Sequence, residues 1–324
     1  MPLSIAGDGI LDETRKRMKI ITAGPGYIDI DAYAGIIAYA ELLQKQGQSA
    51  QAVSTSAPNE SVTKTVRSWP VSLQTEYAPR PDDTFTLIDV SAPDFFDSFV
   101  ELDRVEAIID HHPGYESYWR ERIGEKAMIE AVGAACTQVY ECWKRADMLA
   151  EMSETSARLL ICGILDNTLN FGAKITTQRD RDAYEALMRT ANLPNDWPAR
   201  YFHECQEAID KDPIGAIEND TKMITFPTQQ TAYRVGQFAV WDAAEILATF
   251  QDDLIRHFEA QDDPWFINII SIGSQKSYFL ATDPTMQTWL SDLLHVSFEG
   301  SLAVADRLWL RKEIMRAAID KVTA

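Results

Sequence analysis

The sequence has few cysteines, few histidines and no long apolar run, and these shortages exclude several classes of protein. Its four cysteines show no Cys-x-x-Cys spacing, and Cys136 and Cys162 lie in apolar stretches, which predicts reduced core thiols rather than disulfides or a zinc site. No segment reaches the roughly 18 apolar residues of a membrane span, and the amino-terminal segment lacks the apolar block of a signal peptide. We therefore expect a soluble, cytoplasmic protein with no membrane partner.

Basic residues are also in deficit. Thirty Lys and Arg against 49 Asp and Glu give a formal net charge of −19. The field of such a chain repels nucleic acid polymers, anionic lipid headgroups and phosphate compounds. An anionic substrate would therefore need local compensation, either from bound metal cations or from a small converging set of Lys and Arg.

The remaining composition is that of an ordinary folded protein. Hydrophobic residues make up 46% and charged residues 24% of the 324 residues, a length that suggests two domains. Short β-rich runs alternate with helical patterns in the first half, which predicts an α/β domain with a parallel sheet flanked by helices. The predicted strands are residues 19–22, 50–54, 84–89, 105–110 and 127–131, and the predicted helices are residues 32–43, 137–143, 153–165 and 180–187.

A proline-containing break at residues 192–198 separates this half from a region in which strands and helices follow a different order. A helix is predicted near residues 202–209. Beyond it, strands at residues 223–226, 231–235, 265–272 and 278–281 and helices at residues 243–258 and 286–294 suggest strands paired in hairpins, with the helices set apart. We predict a metal-binding domain at residues 1–195, a linker at 196–212 and a smaller α+β substrate-binding domain at 213–324, with the active site in the cleft between them.

Metal-type side chains follow several of the predicted strands. Because ligands bind at the carboxyl ends of strands in open parallel sheets, these side chains could converge on one edge. They are Asp29 and Asp31 after the first strand, Asp89 at the end of the third, Asp110-His111-His112 at the end of the fourth, and Asp166-Asn167 closing a later helix.

Each of these residues also has an ordinary structural explanation. Asp29 and Asp31 would point the same way in an extended segment, as ligands of adjacent cations should, but Asp31 could be a helix N-cap and Asp29 a solvated loop acid. Asp89 could be a turn former. The histidines are stronger evidence, because a chain with only five places two where a strand meets its loop, although a core or surface pair remains an alternative.

The proposed cluster has a specific chemistry. A carboxylate that bridges two divalent ions about 3.5 to 4 Å apart can polarise phosphoryl oxygens and activate a water nucleophile. The residues therefore favour metal-assisted hydrolysis of a phosphoester or phosphoanhydride.

Ile108-Ile109-Asp110-His111-His112-Pro113, preceded by Leu87-Ile88-Asp89 and Asp29-Ile30-Asp31-Ala32, resembles the DHH phosphoesterase superfamily. Further segments resemble motifs of family II (manganese-dependent) inorganic pyrophosphatases and related exopolyphosphatases in family order. These segments begin at Val132-Gly133, Gly163-Ile164, Asp220-Thr221-Lys222 and Leu310-Arg311-Lys312.

The resemblance implies roles for individual residues. Asp29, Asp31 and His111 would bind metal, and Asp89 would bridge two Mn²⁺ or Mg²⁺ ions. In a fourth metal-binding motif, the segment that begins at Gly163-Ile164, Asp166 or Asn167 would serve as the ligand. Asp89, His111 and His112 would form the catalytic group, with His112 also contacting the substrate. Phosphate would be bound by residues that come across the cleft, namely Lys222, Arg311 and Lys312.

Two departures from the pyrophosphatase pattern imply weakened metal binding. Pro25 stands where pyrophosphatases carry a metal-binding histidine, and Asn167 stands where they carry a metal-binding aspartate. Glu313 also places a negative charge beside the proposed phosphate-binding pair.

The sequence therefore predicts a metal-dependent phosphohydrolase that cleaves pyrophosphate or a short polyphosphate with a metal-activated water. The alternatives are a small-nucleotide phosphodiesterase of the same superfamily and a weakened or non-catalytic binding protein with this fold. The partner would be a small anionic phosphate, and a homodimer stays open.

Overall fold

Two six-stranded sheets and the helices packed on them form the structure, a computed structural model that describes residues 17–226 and 231–323. The remaining residues of the two predicted domains, 1–16, 227–230 and 324, lie outside the described residues. The strands are β1 (Lys19–Thr22), β2 (Tyr27–Ile28), β3 (Ala50–Val53), β4 (Ala57–Pro58), β5 (Leu73–Gln74), β6 (Thr84–Ile88), β7 (Val105–Asp110), β8 (Ala127–Ile129), β9 (Lys222–Thr225), β10 (Ala232–Val240), β11 (Trp265–Ser271), β12 (Lys276–Leu280), β13 (Phe298–Glu299) and β14 (Leu302–Ala305).

Helices cover both sheets and connect them. In chain order they are α1 (Ile30–Lys45), α2 (Lys64–Ser68), α3 (Glu116–Ile123), α4 (Ala135–Arg145), α5 (Glu154–Asn167), α6 (Gln178–Ala191), α7 (Trp197–Lys211), α8 (Pro213–Asn219), α9 (Ala243–Glu259), α10 (Pro284–Leu294) and α11 (Arg311–Thr323). Among the helices that the structure describes, none has both the length and the apolar character needed to cross a membrane.

The first sheet is entirely parallel, in the order β5-β3-β1-β6-β7-β8. Its strands are almost wholly buried because helices cover both faces, as the continuous apolar runs of the sequence require. One face packs on α1, α4, α5 and α6, and the other packs on α3 around the fully buried Trp119. Strand order reverses between β1 and β6, the position where sheets of this kind bind ligands.

The second sheet is mixed, in the order β13-β14-β12-β11-β10-β9. Its two faces carry separate apolar cores, one around Phe266 and Phe279 and one around Ile267 and Phe258. The predicted fold class, an α/β domain followed by a smaller α+β unit, is confirmed. The stated domain boundaries stay a prediction, and residues 197–211 of the predicted linker form the helix α7.

The expected antiparallel pairs of neighbouring strands are β9 with β10 and β11 with β12. β10 and β11 run parallel, because α9 carries the chain from the end of one strand to the start of the other. The parallel register pairs Arg234 with Trp265 and Val240 with Ser271. The sequence did place α9 between these strands, and a connection of this length is what a parallel pair needs.

The amino terminus of α6 is fixed by one buried carboxylate. Asp180 accepts a hydrogen bond from the Thr177 amide at 2.7 Å, which together with the bond from the Asp180 amide to the Thr177 side chain forms a capping box, and another from the Thr177 hydroxyl at 2.7 Å. It also accepts bonds from the Gly133 amide at 3.0 Å and the Thr137 hydroxyl at 2.6 Å. The carboxylate therefore joins α6 to the loop that opens α4.

Replacement of Asp180 by alanine should be strongly destabilising, because four hydrogen-bond donors inside the protein would lose their acceptor. We expect Asp180→Ala to lower the free energy of unfolding by roughly 2–4 kcal/mol, measured by urea denaturation. The exposed Asp182 on the same helix is the matched control, and Asp182→Ala should change stability by less than about 0.5 kcal/mol. Equal losses in the two variants would contradict this assignment.

Candidate metal centre

The carboxyl ends of β1, β6 and β7 meet at the reversal of strand order and bring Asp29, Asp89 and the histidine pair together. Asp89 follows β6 directly and has a φ of +62°, a left-handed conformation that aspartate tolerates better than most residues. Its amide still donates to the Ile109 carbonyl at 2.8 Å, so the turn is fixed to the neighbouring strand. Strained backbone of this kind clusters at functional sites.

Asp89 and His111 face each other closely. The Nε2 atom of His111 lies 3.3 Å from Oδ1 of Asp89, and both side chains are almost fully buried. The Nδ1 atom of His111 lies 3.0 Å from the Val132 carbonyl oxygen, so this nitrogen donates its proton and Nε2 is the nitrogen turned toward Asp89. Oδ1 of Asp89 is buried, and apart from this ion-pair contact with His111 it makes no hydrogen bond among the described residues.

His112 is held by Asp110 rather than by Asp89. Asp110 Oδ1 lies 2.8 Å from Nδ1 of His112 and also accepts hydrogen bonds from the amides of His111 and His112 at 2.8 and 3.1 Å. Nδ1 of His112 lies 3.7 Å from Oδ1 of Asp89. The fully buried first residue of the Asp-His-His motif therefore positions the two histidines, which a sequence motif alone does not reveal.

The electrostatics of this group reflect concentrated negative charge. Burial, followed by the nearby Asp31 and Asp29, raises the pKa of Asp89. Burial acts to lower the pKa of His111, but the Asp89 carboxylate outweighs it and leaves the pKa above its ordinary value. Burial, followed by Asp31, also raises the pKa of Asp29. A cation at this position would relieve the repulsion among these carboxylates.

The donor set fits one divalent cation. Ligand atoms of Asp89, His111 and His112 all lie within 4.8 Å of one another. The unpartnered Asp89 oxygen and a histidine whose other nitrogen is fixed by a carbonyl are features of metal ligands with supporting contacts. These residues could therefore hold an ion of the kind that carboxylate and imidazole ligands favour.

Asp29 and Asp31 are not in an extended segment, so the expectation that both carboxylates point the same way is wrong. Asp29 is the N-cap of α1 and accepts a hydrogen bond from the Ala32 amide at 3.0 Å, while Asp31 lies in the first turn of the helix. The alternative with Asp31 as N-cap and Asp29 as a loop acid is therefore also wrong. Asp29 still lines the cavity in front of the site.

Asp31 is directed into the protein instead. Its two oxygens accept hydrogen bonds from the amides of Ala135 and Cys136, each at 2.8 Å, at the start of α4. The side-chain amide of Asn167 donates a third hydrogen bond to Asp31. Gly163 permits this approach, since a Cβ atom there would lie 2.4 Å from the Cys136 sulfur and 3.0 Å from Asp31. Asp31 thus anchors α4 and α5, and its predicted role as a metal ligand stays a prediction.

Asp166 points into a different hollow from its neighbour Asn167. The Tyr201 hydroxyl lies 2.8 Å from Asp166 Oδ1, and burial raises the pKa of Asp166 to about 7. Asp166 lines a cavity of about 520 Å³ between the two sheets, together with Tyr27, Phe202 and Asp220. The structure therefore separates the two residues of the fourth motif.

None of the three proposed phosphate ligands lines the cavity at the metal centre, although the charge of Arg311 reaches Tyr27 in that lining. Arg311 begins α11 and is engaged with the carbonyl and the carboxylate of Asp220. Lys222 is exposed at the start of the edge strand β9. Lys312 lines a separate hollow beside Lys174, where burial lowers its pKa.

No protein-family model matches the chain. Among curated proteins, the chain is 24% identical over 306 residues to a probable manganese-dependent inorganic pyrophosphatase of Deinococcus radiodurans, covering 89% of this chain and 93% of that protein. It is 26% identical over 223 residues to a protein of the same description from Lactobacillus acidophilus, covering 68% of this chain and 70% of that protein.

Two solved structures have the same arrangement of elements. A putative family II inorganic pyrophosphatase of Methanococcus jannaschii matches with a TM-score of 0.61 and 20% identity, over 93% of this chain and all (100%) of that chain. An exopolyphosphatase-related protein from Bacteroides fragilis matches with a TM-score of 0.50 and 12% identity, over 95% of this chain and 93% of that chain.

The fold is therefore that of the DHH-type phosphoesterases. Within that class, the resemblance to the family II manganese-dependent inorganic pyrophosphatases that the sequence motifs indicated is confirmed by the curated relatives and the structural neighbours. These relatives support a hydrolase.

Substitution of Asn167 by aspartate tests the contact with Asp31. In the presence of EDTA, Asn167→Asp should lose about 1.5–3 kcal/mol of unfolding free energy, because a hydrogen bond to a charged group is replaced by a pair of like charges. Millimolar Mn²⁺ should recover stability in this variant, as measured by differential scanning calorimetry. The control is Asn195→Asp at an exposed site, which adds the same charge elsewhere. An Asn167→Asp protein that melts with the wild type in EDTA would contradict the contact.

Proposed function

We propose that this chain is a metal-dependent phosphohydrolase that cleaves a phosphoanhydride bond, with Mn²⁺ or Mg²⁺ as the ion. The unpartnered Asp89 oxygen opposite Nε2 of His111 is the observation that carries the proposal. The curated relatives described as manganese-dependent pyrophosphatases support the same chemistry. The substrate would be a small anionic phosphate rather than a nucleic acid polymer, because the chain carries a net charge of −19.

Asp89 and His111 would hold the ion, with Asp29 on the cavity side. When bound, a divalent ion supplies Lewis-acid polarisation of the phosphoryl group and lowers the pKa of water. The Val132 carbonyl keeps Nε2 of His111 directed at the site, and the strained backbone at Asp89 keeps its carboxylate in place. Asp31 accepts hydrogen bonds from α4 and Asn167, so a second ion bound through Asp31 would compete with these contacts.

His112 would act on the substrate. Its side chain is 59% exposed and borders the cavity, while Nδ1 is engaged by Asp110, so Nε2 is the nitrogen that meets a phosphate or leaving-group oxygen. The hydrogen bond with Asp110 also raises the pKa of His112, which favours a proton on the ring. A protonated imidazole can bind a phosphate oxygen and donate its proton to the departing oxygen.

Arg311, Lys312 and Lys222 do not line the cavity, so movement of the two sheets toward each other would help to bring them to the substrate. Arg311 would exchange its contact with Asp220 for a phosphate, for which its planar donors are well suited. Closure of this kind is a common way to complete a catalytic site and exclude water.

Loss of either central ligand should abolish turnover. Phosphate release from pyrophosphate, tripolyphosphate and nucleoside diphosphates should require Mn²⁺ or Mg²⁺ and should fall by at least about 100-fold in Asp89→Asn and His111→Ala. Asp94→Asn removes an exposed acid on the next turn of chain and should leave the rate unchanged. Unchanged phosphate release in Asp89→Asn and His111→Ala would refute the proposal.

A further inference from the structure

The cavity in front of Asp89 combines an acidic end, with Asp29, Asp89 and Asp110, with walls that carry aromatic rings. It has a volume of about 610 Å³, within the range of pockets that hold organic ligands. None of the described residues that line it is a lysine or an arginine. Its walls include Ala23, Pro25, Tyr27, Ala92, Phe95 and Tyr115.

Two of these rings are unusually exposed. Tyr27 and Phe95 are 65% and 67% exposed, the highest values among the large hydrophobic side chains that the structure describes. Single exposed apolar residues are common in proteins, but two aromatic rings bordering one cavity form a surface that a ligand can cover.

The backbone holds these rings in place. Tyr27 lies in β2, which pairs with Ala57 of β4. Phe95 ends a short 3₁₀ turn that its amide closes on the Ala92 carbonyl at 3.0 Å. Its carbonyl oxygen also lies close to Gly24, where a Cβ atom would be 3.1 Å away. The exposed rings are therefore carried by fixed segments.

The third ring is anchored from behind. Tyr115 is half-buried and contacts Tyr118 edge-on, with 6.1 Å between ring centroids, and Tyr118 in turn contacts the fully buried Trp119 at 5.0 Å. The wall next to His112 thus ends in an aromatic side chain supported by the core. Rigid aromatic surfaces bind planar rings with little loss of side-chain entropy.

From this lining, which rests on the proposed function, we infer that the phosphate chain of the substrate carries an aromatic group, as in a nucleoside di- or triphosphate. The base would stack on Tyr27 and Phe95, while the terminal phosphate would lie at Asp89 and His112. Bare pyrophosphate offers no surface to the rings, whereas the base of a nucleotide can cover them.

The reaction would be hydrolysis of the terminal anhydride bond. The oxygen of water forms a bond to the terminal phosphorus, and the bond from that phosphorus to the bridging oxygen breaks. The bridging oxygen leaves on the shortened nucleotide with the proton that His112 donates, the attacking water releases one of its protons, which restores the proton on the ring, and inorganic phosphate is the second product. No oxidant or other co-substrate is needed.

Steady-state kinetics with Mn²⁺ test the inference. The wild type should have a higher kcat/KM for ADP than for pyrophosphate. Tyr27→Ala and Phe95→Ala should each lower kcat/KM for ADP by roughly 5- to 150-fold, mainly through KM, because base stacking on an aromatic side chain is worth about 1–3 kcal/mol. Their kcat/KM for pyrophosphate should change by less than about twofold.

Two controls separate stacking from general damage. Tyr27→Phe keeps the ring and should retain the wild-type kcat/KM for ADP. Leu102→Ala removes an exposed apolar side chain that does not line the cavity and should have no effect on either substrate.

The outcomes distinguish this inference from the proposed function. A wild type that prefers pyrophosphate, or ring variants that lose ADP and pyrophosphate turnover equally, would overturn the aromatic substrate and leave the phosphohydrolase in place. Absence of phosphate release from every anhydride in the presence of Mn²⁺ would overturn both.

Discussion

The site depends on negative charge that the fold gathers at the end of its first sheet. Asp89 is buried opposite His111, and Asp29 and Asp31 act on it through a medium of low polarity. Coulomb energies grow as the local dielectric constant falls, so these carboxylates cannot all remain ionised without compensation. The rest of the region supplies partners for some of them and leaves one Asp89 oxygen without a hydrogen bond among the described residues.

The carboxylates of this region differ in the partners that they have. Asp31 is satisfied by two backbone amides of α4 and by the side-chain amide of Asn167, so it serves packing between helices. Asp110 is hydrogen-bonded to both histidines. The carboxylate that remains open is Asp89, and none of the basic side chains expected to bind phosphate lines the cavity in front of it. The cavity wall in front of Asp89 is therefore left to aromatic residues.

Much of the fold could be predicted from sequence because buried parallel strands leave continuous apolar runs. β1 and β7 have the bounds that the pattern indicated, and the helices around them extend only a few residues further. The short strands β2 and β4 carry no periodic signal, and α3 has the polar sequence of a helix that buries little beyond Trp119.

The candidate site was predictable as a set of residues but not as a set of contacts. Strand ends identified Asp89 and the histidine pair, because parallel strands terminate at a common edge. The direction in which Asp31 points depends on α4 and α5, which approach it from residues more than a hundred positions away. The sequence gives no sign of the aromatic wall, because aromatic residues in separate loops do not indicate a shared cavity. These residues are Tyr27, Phe95 and Tyr115.

Crystallography on protein soaked in Mn²⁺, with anomalous scattering measured near the manganese edge, tests the central claim most directly. The account predicts an anomalous peak in coordinating contact with an oxygen of Asp89 and with Nε2 of His111, and no such peak in Asp89→Asn crystals. A peak bound only by other residues, or none at saturating Mn²⁺, would contradict it.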